Sequence, residues 1–360
     1  MADRLIDRRT FMARAIAMSA TAAFGTGSVF GSAQPPRIRI GQIGTEHAHA
    51  SKIGVYRRSD AYEVVGVVEP DDRRWEAARS QPAYRDLPRL TESQLLDTPG
   101  LSVVAVETHV RESVETARRC VDAGKHVHLD KPAGTSLEPF RQLLDAATNR
   151  KLLVQLGYML RHSPATLLLH RLLKEGALGD VFEVHGVMSK VVGAAERKRL
   201  AEFKGGMLFE LGCHLIDSVV GLLGEPLRVV PLSTKSKLGE ADGLVDNGLA
   251  AFVYRHATAT VRSTALEVEG GPRRHLVVCG TNGTFRCEPL ESPQVRLTLA
   301  RDVGGFKAGT QVVPMPKYER YVGDAADMAA ILRGEKASDY PPAHDLLTHR
   351  CVLEASGMAT

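Results

Sequence analysis

The sequence predicts an α/β chain of two domains, the first built on a parallel sheet with helices on both faces. Three observations predict it. The chain has 360 residues, beyond the roughly 250 to 300 at which a single core stops growing. From residue 36 onward, short β-branched runs alternate with amphipathic stretches of helical period. Those runs are apolar throughout, as strands buried on both faces require.

The elements follow in order. "RIRIGQIG" (37 to 44) is a strand, and a helical stretch separates it from the strand "YEVVGVVEP" (62 to 70), closed by an acid and a proline. "LSVVAVETH" (101 to 109) is the next strand, "RESVETARRCVDAGK" (111 to 125) a helix and "HVHLD" (126 to 130) a strand. A helix near 136 to 150 and the strand "LLVQLG" (152 to 157) complete a first domain at 36–157. The second domain takes 158–360, with final helices at 318–333 and 343–357 joined by "DYPPAHD" and packing back toward the first domain.

The N-terminus stands apart. "DRRTFMARAIAMSATAAFGTGSVFGSAQP" joins Arg8 and Arg9 to an uncharged, weakly apolar run ending at Ala33. That layout resembles a twin-arginine export signal over residues 1–33, with Asp7 where Ser or Thr is commoner. The run is too rich in small residues for a good spanning helix of about 20 residues. The expected location is therefore periplasmic or exported, reached through the twin-arginine machinery, with no stable membrane anchor after cleavage. The net charge is +4, and Arg4, Arg8, Arg9 and Arg14 against Asp3 and Asp7 place +2 of it in this segment. The remainder is nearly balanced and gives no reason to expect nucleic acid. Five cysteines without CxxC spacing form no disulfide framework.

Parallel sheets bind ligands at the carboxyl ends of their strands. After the first strand comes Gly44-Thr45-Glu46-His47-Ala48-His49, where a dinucleotide fold would present G-x-G-x-x-G. Gly44 can make the tight turn, but Glu46 and His49 replace the other glycines. A carboxylate there repels phosphate unless it points outward or binds a ribose hydroxyl while His47 takes the phosphate. As i and i+2 neighbours on a helix, His47 and His49 would diverge, which leaves His49 to capping and surface packing. The second strand ends in Glu69, some 25 positions after Gly44, near the place of the acid that grips an adenosine ribose diol. Together with Asp71 and Asp72, that acid favours NAD over NADP.

"AGKHVHLDKPAG" (123 to 134), with Asp130, Lys131 and Pro132 ending a strand, resembles the hallmark of the Gfo/Idh/MocA oxidoreductases. The similarity extends through "LGYMLRHSPA" (156 to 165), "GALGDVFEVHG" (176 to 186), "GGMLFELGCHLID" (205 to 217), "CGTNGTFRC" (279 to 287) and "YERYVGDAADMAAILRGEK" (318 to 336). The resemblance implies an N-terminal Rossmann dinucleotide-binding domain and a C-terminal α+β domain with a mainly antiparallel open sheet. It also implies a nicotinamide cofactor and a sugar or cyclitol substrate. The cofactor-binding set is then Gly44, Thr45, Glu46, His47, Glu69, Thr108, His109, Asp130 and Lys131. Thr108-His109 departs from the family's Thr-Pro, and Glu210 stands where Asp is commoner.

"GGMLFELGCHLID" carries Glu210, His214 and Asp217 at i, i+4 and i+7 in an apolar stretch. Oxidising a secondary alcohol needs a group to take the hydroxyl proton, and an imidazole titrating near neutrality suits that role. The expected catalytic set is His214 as acid and base, Glu210 one turn earlier holding its ring, and Lys131 placing positive charge where alkoxide character develops. Asp217, Tyr158 and Arg161 are expected at the substrate, although Asp217 also fits a polar network and Arg161 a tie between domains. The basic loop "ERKRLAEFKGG" (196 to 206) could cover the pocket, but a solvated charge run is the preferred reading. No metal is expected from the Glu-His-Asp stripe, because Cys213 and His214 are adjacent and diverge. A polar seam between domains remains the structural alternative.

Export implies a tightly held cofactor, since NAD is scarce outside the cytoplasm. An oxidoreductase acting on a secondary hydroxyl fits, as does a redox-neutral glycosidase or lyase working through transient ring oxidation. A binding protein that lost the cofactor is the third alternative, and the altered glycine loop favours it. With aromatic residues at only 5%, a small sugar suits better than a polysaccharide. The open sheet face is expected to form a homo-oligomer interface.

Overall fold

β1 (Ile38–Ile43), β2 (Tyr62–Val68), β3 (Leu101–Val106), β4 (His126–Leu129) and β5 (Val154–Leu156) form one parallel sheet in the order β2-β1-β3-β4-β5. The computed structural model describes residues 35–360, and the expected export segment with Arg8 and Arg9 lies outside them. Alternate residues of β3 enter different cores. Val103 and Ala105 pack with Ile40, Tyr56 and Tyr62, whereas Val104 and Val106 pack with Val114, Cys120, Val127 and Phe140. Burial on both faces explains why these runs lack polar alternation. Strand order reverses beside β1, so the carboxyl ends of β1 and β3 open onto a crevice.

The second lobe is an eight-stranded sheet: β6 (Val181–Val187), β7 (Arg228–Pro231), β8 (Asn247–Val253), β9 (Thr258–Thr264), β10 (His275–Gly280), β11 (Gly283–Cys287), β12 (Val295–Leu299) and β13 (Gly309–Val313). Its order is β13-β12-β11-β10-β6-β9-β8-β7, and only β6 and β9 run parallel. Buried and exposed residues alternate along β9 and β12, which marks a sheet with one face on the core and one open. This is the Rossmann-plus-antiparallel architecture that the resemblance implies. The five cysteines are all free thiols, and four of them are buried.

The C-terminal helices stitch the lobes together. Ala325, Met328 and Ala329, from the helix Val322–Leu332, complete the core around Tyr62, whose hydroxyl donates to the Ala325 carbonyl at 2.7 Å. The helix Pro342–Ala355 packs on both Leu137–Asn149 of the first lobe and Cys213–Leu223 of the second.

A buried ionic node fixes that junction. Arg161 donates Nε and Nη2 to the two oxygens of Asp217 at 3.0 and 2.7 Å, and Nη2 also reaches Asp345 at 2.6 Å. His344 lies 3.1 Å from Asp217. The guanidinium sits over Tyr340 at 4.0 Å and over Tyr158 at 4.8 Å. Of the roles open to Asp217 and Arg161, these contacts match the network and the tie between domains; with their charges spent on each other, neither is free for substrate. Removing the cation would strand two buried carboxylates, a loss of about 3 to 5 kcal/mol. Arg161→Met is therefore expected to lower unfolding free energy by that amount in denaturant titrations. An unchanged midpoint would show that water reaches Asp217 and Asp345.

Candidate active site at the interlobe cleft

Gly44 ends β1 with φ +88°, and a Cβ there would lie 2.7 Å from the Glu107 backbone. Only glycine tolerates both conditions, so the loop turns tightly across the end of β3. Residues 45 to 49 are not helical: a 3₁₀ turn spans Ala50–Lys52 and the α-helix starts at Ile53. His47 and His49 therefore converge, with ring centroids 5.0 Å apart, instead of diverging as helical neighbours would. His49 is not surface packing: its Nδ1 lies 3.2 Å from Asp130 Oδ1.

Asp130, at the end of β4, is the hub. Its Oδ1 accepts from the Lys131 amide at 2.7 Å, and its Oδ2 accepts from the Lys52 ammonium. Lys52 Nζ also lies 3.0 Å from Glu107 and 2.9 Å from His128. No sequence motif marks Lys52, and Glu107 reads only as an acid ending "LSVVAVE". Burial opposes the charge on Lys52, but Asp130 and Glu107 outweigh it and raise its pKa. Burial pushes Glu107 up to about 8 despite Lys52. Asp130, despite its own burial, is held well below the usual carboxylate range by His47, Lys52 and His49. One ammonium between two carboxylates thus leaves Asp130 as the anion.

The adenosine side differs from expectation. Glu69 accepts from the Thr45 amide and hydroxyl at 3.0 and 2.7 Å and from Arg74 Nε at 3.0 Å, so the loop consumes the acid expected to grip a ribose. Glu46 turns outward onto Arg74, 3.3 Å away. Asp71 caps the helix Asp72–Arg79.

Lys131 brings the lobes together. Its buried ammonium donates to the Glu210 carbonyl at 2.7 Å and lies 3.3 Å from the Glu210 carboxylate. Burial disfavours its charge, yet Glu210 more than compensates and raises its pKa. Leu208–Gly212 form a π-helical turn before the helix Cys213–Leu223. The wider turn breaks the i, i+4 stacking expected of Glu210 and His214. As a correction, Glu210 serves Lys131 and does not hold the His214 ring. Both His214 nitrogens and the Tyr158 hydroxyl are buried without a hydrogen-bond partner, and the two rings meet edge-on at 5.9 Å. Burial first, and Lys131 second, drive the His214 pKa well below 6.5, so the imidazole is neutral.

A narrow cleft of about 40 Å³ is lined by Glu46, His47, Thr108, His109, Phe203 and Glu210. His109 caps the helix Val110–Asp122, lies 3.3 Å from Glu202 and stacks on Phe203 at 5.9 Å. The basic segment divides: Lys198, Arg199 and Lys204 are exposed, as in a solvated run, while Arg197, in the helix Ala194–Leu200, is buried against Asp242 and Asp246, and Leu200 and Phe203 line the cleft. A larger recess of about 320 Å³ on the second sheet shares no residue with it.

Burial holds several imidazoles neutral: His47 and His349 drop to about 4 and His128 to about 3, while His49 and His214 are also lowered. The unfolded chain takes up these protons below about pH 6.5. Glu107, Asp324 and Asp345, raised by burial, act the other way, but the five imidazoles outnumber them. Stability is thus full above about pH 7 and falls as the pH drops toward 5. Denaturant titrations at pH 7.5, 6 and 5 check this, and a flat or rising stability toward acid would contradict it.

Two family models match the chain. Residues 38–158 match an oxidoreductase family with an NAD-binding Rossmann fold, and residues 166–286 match the Gfo/Idh/MocA C-terminal domain. The oxidoreductase YhhX of Escherichia coli is 26% identical over 296 residues, covering 81% of this chain and 82% of that protein. Inositol 2-dehydrogenase 1 of Saccharopolyspora erythraea is 30% identical over 215 residues, covering 58% of this chain and 61% of its own. The solved structure of the oxidoreductase YvaA from Bacillus subtilis superimposes with a TM-score of 0.73 at 20% identity, over 91% of this chain and 98% of that one. By both of its lobes, the chain is a member of the Gfo/Idh/MocA family of oxidoreductases.

Proposed function

We propose that this oxidoreductase oxidises a secondary hydroxyl of a small sugar or cyclitol, holds NAD tightly, and works outside the cytoplasm after twin-arginine export. One observation carries the chemistry: Lys131 of the first lobe is seated on Glu210 of the second, beside two buried groups, His214 and Tyr158, whose polar atoms have no partner in the protein. Buried polar atoms without partners are costly, and a polyol is rich in the hydroxyls that would satisfy them.

The residues present accept a dinucleotide. Gly44 keeps the tight turn, the Glu46 carboxylate is neutralised by Arg74, and Thr108 and His109 border the cleft. NAD is favoured over NADP because Glu69 is a buried carboxylate at the end of β2 and Arg74 is already paired with two acids. When bound, the nicotinamide supplies the acceptor for a hydride from carbon. Neutral His214 takes the hydroxyl proton, and the Lys131 ammonium stabilises negative charge developing on that oxygen, worth about 3 to 4 kcal/mol by analogy with oxyanion donors. Glu210 keeps Lys131 charged and aimed. Leu200 and Phe203 line the cleft and limit the water beside Glu210. The inositol 2-dehydrogenase relative supports the cyclitol class. The open face of the second sheet is the proposed subunit interface.

His214→Asn is expected to lower turnover about 10²- to 10⁴-fold on a responsive polyol. Lys131→Met should cost about 10²- to 10³-fold in kcat with little change in KM. Denaturing the purified protein should release NAD in stoichiometric amount. Undiminished turnover in His214→Asn would remove the imidazole from the reaction, and a protein that neither releases nor binds NAD would remove the cofactor assignment.

A further inference from the structure

We propose that His47, His49 and Asp130 form a binding site for one divalent first-row metal ion, of which Zn²⁺ suits the ligands best. One ligand atom from each residue lies within 4.8 Å of the others. His47 Nδ1 is 3.4 Å from Asp130 Oδ2, and His49 Nδ1 is 3.2 Å from Oδ1. Zinc–ligand bonds of about 2.0 to 2.2 Å at tetrahedral angles separate neighbouring ligands by roughly 3.3 Å, which matches.

The tautomer of His47 sharpens the assignment. Its Nε2 lies 3.1 Å from the Lys131 carbonyl, which can only accept, so Nε2 carries the hydrogen. The His49 amide donates to Nδ1 at 3.2 Å, which confirms a lone pair there. That lone pair also faces an Asp130 carboxylate oxygen at 3.4 Å, and a cation held between the two would relieve their repulsion, taking the lone pair in place of the His49 amide. Donation of the other ring N–H to a backbone carbonyl is also how proteins orient a metal-binding histidine. Asp130 has room: the Lys131 amide and Lys52 ammonium take one acceptor site on each oxygen, leaving one on each for the histidine side.

A second, independent feature points to the same place. His214 is fully buried with both nitrogens unpartnered, and its ring lies 6.0 Å from that of His49, tilted by 35°. Its nitrogens stay free to take a hydroxyl proton, as the proposed reaction requires, beside an ion held by the other three residues. Lys52 and Lys131 oppose a cation, while Asp130 and Glu210 favour it; Tyr321 lies 5.5 Å from His49. Two histidines and one carboxylate form a ligand set typical of zinc and its neighbours.

The test uses the purified chain, freed of metal by a chelator and titrated with ZnCl₂ by calorimetry and with CoCl₂ by visible absorption. One equivalent of Zn²⁺ is expected to bind, with intense Co²⁺ bands from a low-symmetry nitrogen and oxygen site. His49→Ala should weaken binding at least tenfold; should that variant fail to fold, His49→Gln keeps the volume and is expected to show the same loss. Absence of binding by either ion, Co²⁺ bands as weak as those of the hydrated ion, or affinity unchanged in both His47→Ala and His49→Ala would overturn the site. None of these readings depends on substrate or on NAD.

Discussion

One carboxylate, Asp130, organises the end of the parallel sheet. It is buried and ionised, and Lys52, His49 and the Lys131 amide donate to it. Removing a carboxylate from water costs several kcal/mol unless charge and hydrogen bonds replace the solvent. Each replacement here comes from a different element: the loop after β1, the 3₁₀ turn behind it, and the strand end that carries Asp130. The loop conformation and the direction of Lys131 are therefore consequences of satisfying one charge.

The same logic joins the lobes. Lys131 is fully buried, and its charge is tenable because the π-turn presents both the carbonyl and the carboxylate of Glu210 to it. A regular α-helix would have aligned Glu210 with His214, as the i, i+4 spacing predicts. The extra residue in the turn gives Glu210 to the lysine and leaves the imidazole unpartnered. π-turns of this kind recur at functional sites because they re-aim side chains at a cost the surroundings must offset. Here the offset is the interlobe ion pair.

The succession of strands and helices and the place of Lys131 at a strand end are legible in the sequence because they depend on local pattern: apolar runs, period and a short motif. The pairing of charges was not. Lys52 reads as an ordinary helix-start lysine, and only the tertiary fold brings it to Asp130, 78 positions away. Arg161, Asp217 and Asp345 likewise meet across three segments. Treating His47 and His49 as neighbours on a helix splays them, whereas the observed 3₁₀ turn begins only at Ala50, after both. Charge pairing over long sequence distance leaves no periodic trace, so spacing rules identify the ionisable residues but not their partners.

The altered glycine loop then has a physical interpretation. In a G-x-G-x-x-G turn, free amides and a helix N-terminus meet the pyrophosphate. Here the Thr45 amide is spent on Glu69, the His47 amide on the Glu107 carbonyl and the His49 amide on the His47 ring. The α-helix that follows has only six residues, Ile53–Arg58, so its dipole is weak. Anion binding at this turn must draw on side-chain charge, and the nearest cations, Lys52 and Lys131, are each committed to carboxylates. A divalent ion on His47, His49 and Asp130 would add positive charge where the backbone no longer supplies it.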